Sequence, residues 1–248
     1  MRRCECPELR WKLELLRNYK PSPGQLRRIL RKHRAPSREF RPAVYGGAWP
    51  TEEELMAVFT ETPDTDFLVQ TRHAAAYVNA AAEKLYFSGQ EPLACVPAEP
   101  EQNPNNYEGF EMISWEPSEL KIYAGQRLFI TKNENKKHDF VNGMGCTVQE
   151  MDRHGVLVRT DTNRMLLVHP MTDSETKIAY FPLRMGYATT LHKIQGMTLK
   201  HVTLWLNKKF WPAAAYVALS RVKLDAHWRF VGEVTPEHCI PAEQKKEL

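Results

Sequence analysis

Between about residues 120 and 183 the apolar positions of this chain recur every second residue, and on either side they do not. Segments 126–131, 146–151, 156–160 and 165–169 read as short strands at roughly ten-residue spacing. Asn142-Gly143 is a hairpin signal between the first two. Regular short strands without intervening helices build a small barrel or a sandwich. The flanks have the other rhythm. Residues 67–71 form an apolar run leading directly into an alanine-rich helical stretch, 73–87. After 183, residues 185–189 lead into a predicted short helix, 202–206 read as a strand, 214–221 as a helix and 228–234 as a closing strand. The predicted fold is therefore an α/β open sheet interrupted by a small β module.

Upstream, Leu9, Leu13 and Leu16 fall on one helical stripe over residues 8–18, and the pattern resumes over 25–33 after Pro21 and Pro23. Thr51 with Glu54 three residues on is a capping box, so a helix is predicted to start there. Residues 42–50 read as loop, and 89–110, rich in Pro, Asn and Glu, as a long surface excursion. Residues 1–41 hold 13 Lys/Arg against 4 Asp/Glu, whereas the rest of the chain holds 21 against 26. A solvated helix face accounts for such a run, and so does a polyanionic partner.

No apolar run is long enough to span a bilayer, and residues 1–6 have no apolar segment behind their charges, so a secretory signal is not expected. The five cysteines (Cys4, Cys6, Cys95, Cys146, Cys239) are odd in number and scattered, which points to a reducing, intracellular compartment. Cys4 and Cys6 lack a second ligand pair, so no metal site is expected.

Two segments near the C-terminus carry chemistry. Thr190-Leu-His-Lys-Ile-Gln-Gly-Met-Thr198 follows a predicted strand, where an α/β sheet presents its ligands. His192 and Lys193 can donate to phosphate, and Gly196 permits close approach. A helix opening there would add its N-terminal N–H groups. Tyr216-Val-Ala-Leu-Ser-Arg-Val222 buries its apolar residues and leaves Ser220 and Arg221 at a helix end. Taken alone, Arg221 reads as a surface ion pair, as most surface arginines do.

Together these segments closely resemble the last two motifs of the Pif/RecD-like branch of superfamily 1 DNA helicases. Residues 120–183 are similar to the small β-barrel that interrupts the second RecA-like motor domain of that family. The stretch 67–73, with Val78 and Asn79, resembles the strand–helix unit upstream of it. The resemblance implies a RecA-like, P-loop NTPase-type open parallel sheet with residues 51–111 and 184–236 as motor domain, 112–183 as β-barrel insert, 1–50 as a basic helical lead-in and 237–248 as tail. It implies that Arg221 completes an ATP site across a domain cleft, with Gln195 and Gly196 at that cleft. Thr190, His192 and Lys193 would sit near single-stranded DNA phosphates, with Arg72 of the upstream unit also on the DNA side. Asn18-Tyr-Lys-Pro21 is similar to the family's "NYRQ"-like stretch, which places Lys20 in the ATP cleft with lysine where arginine is usual.

No GxxxxGK[ST] phosphate loop and no Asp-Glu box occur in the 248 residues. The resemblance thus implies the C-terminal motor half of an ATP-dependent 5′-to-3′ helicase. ATP and Mg2+ belong to the complete enzyme, neither binding tightly to this chain alone. The expected partners are single-stranded DNA and a first RecA-like motor domain, and the expected setting is nucleus or mitochondrion in a eukaryote, cytoplasm otherwise. The alternative is a catalytically silent remnant that binds DNA or a partner.

Overall fold

A computed structural model describes residues 4–36, 49–100, 119–134, 139–194 and 197–242. In chain order, helices α1 (Pro7–Asn18), α2 (Pro23–Leu30) and α3 (Glu52–Glu61) precede strand β1 (Asp66–Val69) and helix α4 (Arg72–Phe87). There follow β2 (Ala94–Pro97), β3 (Glu119–Ile122), β4 (Arg127–Ile130), β5 (Gly145–Asp152), β6 (Gly155–Thr160) and β7 (Met165–Val168). Short strands β8 (Met171–Thr172), β9 (Ala179–Tyr180) and β10 (Leu183–Met185) lead back to β11 (Ala188–Thr190), β12 (Val202–Trp205), α5 (Ala214–Leu219) and β13 (Trp228–Phe230). The chain divides into two compact units, Met1–Ala82 with Ala188–Leu248, and Glu83–Tyr187.

The first unit is built on a four-stranded sheet of order β11-β1-β12-β13, parallel throughout. Phe67, Leu68 and Val69 are fully buried, as strands covered on both faces require. Leu9, Leu13 and Leu16 of α1 form the stripe expected from their spacing. They share one core with Leu26 and Ile29 of α2, Ala215 and Ala218 of α5, and Trp228. Pro7 opens α1 where its missing N–H costs nothing, and Ser22 caps α2 reciprocally with Gln25. Thr51 and Glu54 form the expected capping box. Helix α2 stops at Leu30, short of His33. Lys32 has a positive φ of 71°, and residues 33–35 then run beside β13, with Phe230 N–H donating to His33 O and Ala35 N–H to Phe230 O. Cys239, in the segment expected as a tail, is buried in this core. The expected closing strand ends at Phe230.

The second unit is antiparallel. Its main sheet has the order β10-β4-β5-β6-β7, with a bulge between Val148 and Glu150, so the expected barrel segment is a curled five-stranded sheet whose hydrogen-bonded edges are β10 and β7. Ile122, Ile130, Val148, Val156, Val158 and Leu183 fill its core. Two expectations need correcting. Residues 94–97, expected within a loop excursion, form β2 and pair with β3, because alternating Ala94 and Val96 find an antiparallel partner. Asn142-Gly143 does not close a two-residue hairpin. Gly143, at φ 88°, sits in a turn at the end of a longer β4–β5 connection and donates its N–H to Ile130 O. The rest of the expected excursion, 101–110, and residues 42–48 of the expected loop lie outside the described residues. At the unit's two ends, the rings of Tyr86 and Tyr187 stack with centroids 5.4 Å apart.

Candidate functional site

Strands β1, β11 and β12 run parallel, so the segments that leave their carboxyl ends share one edge. These are residues 70–72, 191–194 and 206–211. Three bonds tie the first to the third. Asn207 accepts from Gln70 N–H (3.0 Å) and donates to Thr71 Oγ1 (2.8 Å), and Lys208 N–H donates to Gln70 Oε1 (2.6 Å). Leu191 N–H donates to Val69 O (2.9 Å), fixing the middle segment.

Of the residues expected on DNA, His192 and Lys193 are exposed on this edge. Arg72, half-buried, is the first residue of α4 on the same edge. Thr190 is only 8% exposed and serves as the last rung of β11 rather than as a surface donor. The helix expected after Thr190 is absent among the described residues. Residues 191–194 form a turn with Lys193 N–H donating to Thr190 O and Met197 N–H to Ile194 O. A phosphate there would meet side chains, without the N-terminal N–H groups of a helix.

The reason lies in Arg221. Its Nη1 donates to the carbonyl oxygens of Ile194 (3.3 Å) and Met197 (3.4 Å), its Nε to Val217 O (3.0 Å) and its Nη2 to Ser220 Oγ (2.7 Å). Leu199 N–H donates to Arg221 O in return (2.8 Å). In a helix those two carbonyls would accept from residues four positions later. Here one guanidinium reaches both, sharing Ile194 O with Met197 N–H, and stitches the two C-terminal motifs together. Gln195 and Gly196, between the two carbonyls, lie outside the described residues.

Lys20 is not brought to Arg221. It pairs with Glu237 at 3.2 Å, beyond the C-terminal end of α1. Bonds from Thr235, from the backbone of Glu237 and from Lys20 hold that carboxyl at about 2. The other end of α1 lies by Lys223, where Glu5 N–H meets Lys223 O at 3.0 Å. Twelve helical residues, about 18 Å, lie between those ends. With Arg221 folded back and Lys20 distant from it, these two residues do not share one nucleotide pocket.

The edge also holds residues that motif spacing missed. Lys208, Lys209, Phe210 and Trp211 follow β12, with Phe210 67% exposed and Trp211 ring to ring with His192 at 5.6 Å. Trp49, 42% exposed, packs on His73 (4.9 Å) and Trp205 (4.6 Å). The signal was a lysine pair followed by two aromatics directly after a strand. Cations interleaved with exposed rings suit a single strand, whose phosphates and base faces they match. Among the described residues, no group of three or more His, Cys, Asp or Glu is arranged to hold a metal.

No protein-family model matches the chain. An ATP-dependent DNA helicase Pif1 of Bdellovibrio bacteriovorus is 33% identical over 112 residues, covering 42% of this chain and 25% of that protein. A Pif1 of Campylobacter jejuni is 24% identical over 154 residues, covering 52% and 34%. The crystal structure of a Bacteroides Pif1 helicase with ADP-AlF3 and single-stranded DNA superposes with a TM-score of 0.62 at 20% identity, over 96% of this chain and 52% of that one. The chain thus spans about half of that solved helicase and a quarter to a third of these curated relatives. With its parallel sheet, its inserted β module and the two linked motifs, the chain has the RecA-like fold of the matching half of that solved Pif1 helicase and is similar in sequence to Pif1 helicases over part of its length.

Proposed function

We propose that the chain is the C-terminal motor half of an ATP-dependent 5′-to-3′ DNA helicase, and that its own task is to hold single-stranded DNA along the carboxyl edge of its parallel sheet. The observation that carries this is the grouping of His192, Lys193, Lys208, Lys209, Phe210 and Trp211 on that edge of a Pif1-like fold. ATP and Mg2+ would be held chiefly by a first RecA-like motor domain, supplied in the same polypeptide or by another. Arg221 would reach the nucleotide only by leaving the carbonyls of Ile194 and Met197. Its place between the motifs would then couple nucleotide state to the loop bearing His192 and Lys193.

Fluorescence anisotropy with an oligothymidine tests the first part. Binding should weaken steeply with salt, and Lys208→Ala/Lys209→Ala should lower the slope of log K against log salt by about 1.4 for single strands. Phe210→Ala should weaken binding by about 5- to 150-fold, the worth of about 1–3 kcal/mol of stacking. Binding indifferent to salt and to both variants would remove this edge as the DNA site. The chain alone should show no DNA-stimulated ATP turnover. Turnover that disappears in Arg221→Ala would show the nucleotide site to be complete without a further domain. A silent remnant would stay inactive even when a phosphate-loop domain is supplied.

A further inference from the structure

At the opposite, amino edge of the parallel sheet, where residues 224–229 enter β13, a cavity of about 770 Å³ opens beside α1 and α2. Its floor is a buried polar cluster. Lys12, 2% exposed, donates to both carboxylate oxygens of Asp225 (2.8 and 2.7 Å) and lies 2.9 Å from His33 Nε2. His33 lies flat on Trp228 at 3.7 Å, and its Nδ1 is 3.0 Å from Trp228 O. A carbonyl can only accept, so Nδ1 carries a proton; Nε2 lies between the Lys12 ammonium and Asp225 Oδ2, 3.1 Å away. Burial first, and then the Lys12 charge, hold the imidazole below its usual titration range, so it is neutral at pH 7. Trp228 Nε1 donates to Asp225 (3.0 Å). The floor therefore neutralises itself.

The rim does not. Arg28, Arg31 and Lys32 line it against one further carboxylate, Glu8, while the fourth cation, Arg229, pairs with Glu61 at 3.6 Å. Arg28 is pre-positioned by stacking on Trp11 at 4.4 Å. The C-terminal dipole of α2 accounts for Arg28 but not for residues beyond the helix end. Arg31 and Lys32 lie there, exposed, and Lys32 holds a left-handed backbone that a non-glycine residue adopts at a cost of order 1 kcal/mol. That turn brings both cations onto the cavity. Among the described residues neither has a carboxylate partner. The basic N-terminal stretch is thus more than a solvated face, because its charges converge on a concavity large enough for a phosphorylated ligand.

We propose that this amino-edge cavity is a phosphate-binding site, separate from the carboxyl edge, with the guanidinium groups of Arg28 and Arg31 and the ammonium of Lys32 as its donors. The chemistry is common to a free nucleotide or pyrophosphate and to the backbone of a nucleic-acid strand, and the test separates them. Binding of inorganic pyrophosphate and of an oligothymidine is measured at low salt by calorimetry for the full chain, Arg31→Gln/Lys32→Gln and His192→Ala/Lys193→Ala. The expected result is at least a fivefold weaker pyrophosphate Kd in Arg31→Gln/Lys32→Gln, with His192→Ala/Lys193→Ala unchanged. If the oligonucleotide alone weakens in Arg31→Gln/Lys32→Gln, the site takes a strand. If both probes bind that variant like the parent, the site does not exist, while the carboxyl-edge reading stands or falls separately on His192→Ala/Lys193→Ala. The two exposed positions should leave the thermal midpoint unchanged, and Arg28→Gln gives an independent second variant with the same expected loss.

Discussion

Replacing Asp225 by alanine tests the buried cluster most sharply. The Lys12 ammonium would lose two carboxylate contacts under 3 Å and keep His33 Nε2 at 2.9 Å, Glu8 at 4.0 Å and the face of the Trp228 ring at 5.2 Å. Trp228 Nε1 would lose its acceptor as well. Removing one partner of a buried ion pair costs about 3–5 kcal/mol. The Asp225 side chain is 19% exposed, so water reaches the gap and the low end, about 3 kcal/mol, is expected. Lys12→Met is milder, about 1–2 kcal/mol, since Asp225 keeps Trp228 and solvent while the methionine fills the alkyl channel. In Lys12→Met/Asp225→Ala no unpaired charge remains, so the double variant should cost less than the sum by about 2 kcal/mol. Urea unfolding followed by tryptophan fluorescence is the assay, because five of the six tryptophans lie in the unit that holds this cluster. An Asp225→Ala cost below about 1 kcal/mol, a costlier Lys12→Met, or additivity would each refute the reasoning.

Stability should fall as pH drops below about 6.5. Burial keeps both His33 and His238 less basic than in the unfolded chain, so the unfolded state binds more protons from that pH downward. The urea midpoint between pH 8 and 5.5 should show this, with a shallower slope in His33→Gln; a midpoint rising toward acid would contradict it. Burial pushes the Cys146 and Cys239 thiols up to about 12, whereas Cys95 is exposed and Cys6 is lowered, chiefly by the Leu9 backbone N–H. Iodoacetamide at pH 7.5, read by mass spectrometry, should therefore label Cys6 and Cys95 in the folded chain and the other two only in denaturant. Equal labelling of Cys239 without denaturant would show that its core is open.

What was legible in the sequence was what neighbours in sequence decide. The Thr51–Glu54 cap, the Leu9–Leu13–Leu16 stripe and the strand-to-helix passage at 66–72 depend on residues a turn apart. The change of period at 120 marks the inserted module for the same reason. The helix expected after Thr190 is not seen among the described residues because a residue 24 to 27 positions away bonds the carbonyls of Ile194 and Met197, and no local pattern carries that. Lys20 went astray similarly, since its partner Glu237 is 217 residues on. The cation–aromatic run 208–211 was present in the sequence. It acquired meaning only when parallel pairing brought His192 beside Trp211.

The ladder between β1 and β11 has a consequence for how the chain assembles. Phe67 pairs with Ala188, 121 positions later, so β1 cannot gain even its first parallel partner until the whole inserted module has been made. Closing a flexible loop of that length costs about 4 kcal/mol in chain entropy. The module shortens it from within: once folded, it holds Tyr86 against Tyr187, so its hundred intervening residues act as a short tether. The β module is then a folding clamp for the parallel sheet, and destabilising it should delay β11 docking even where every residue of that sheet is intact.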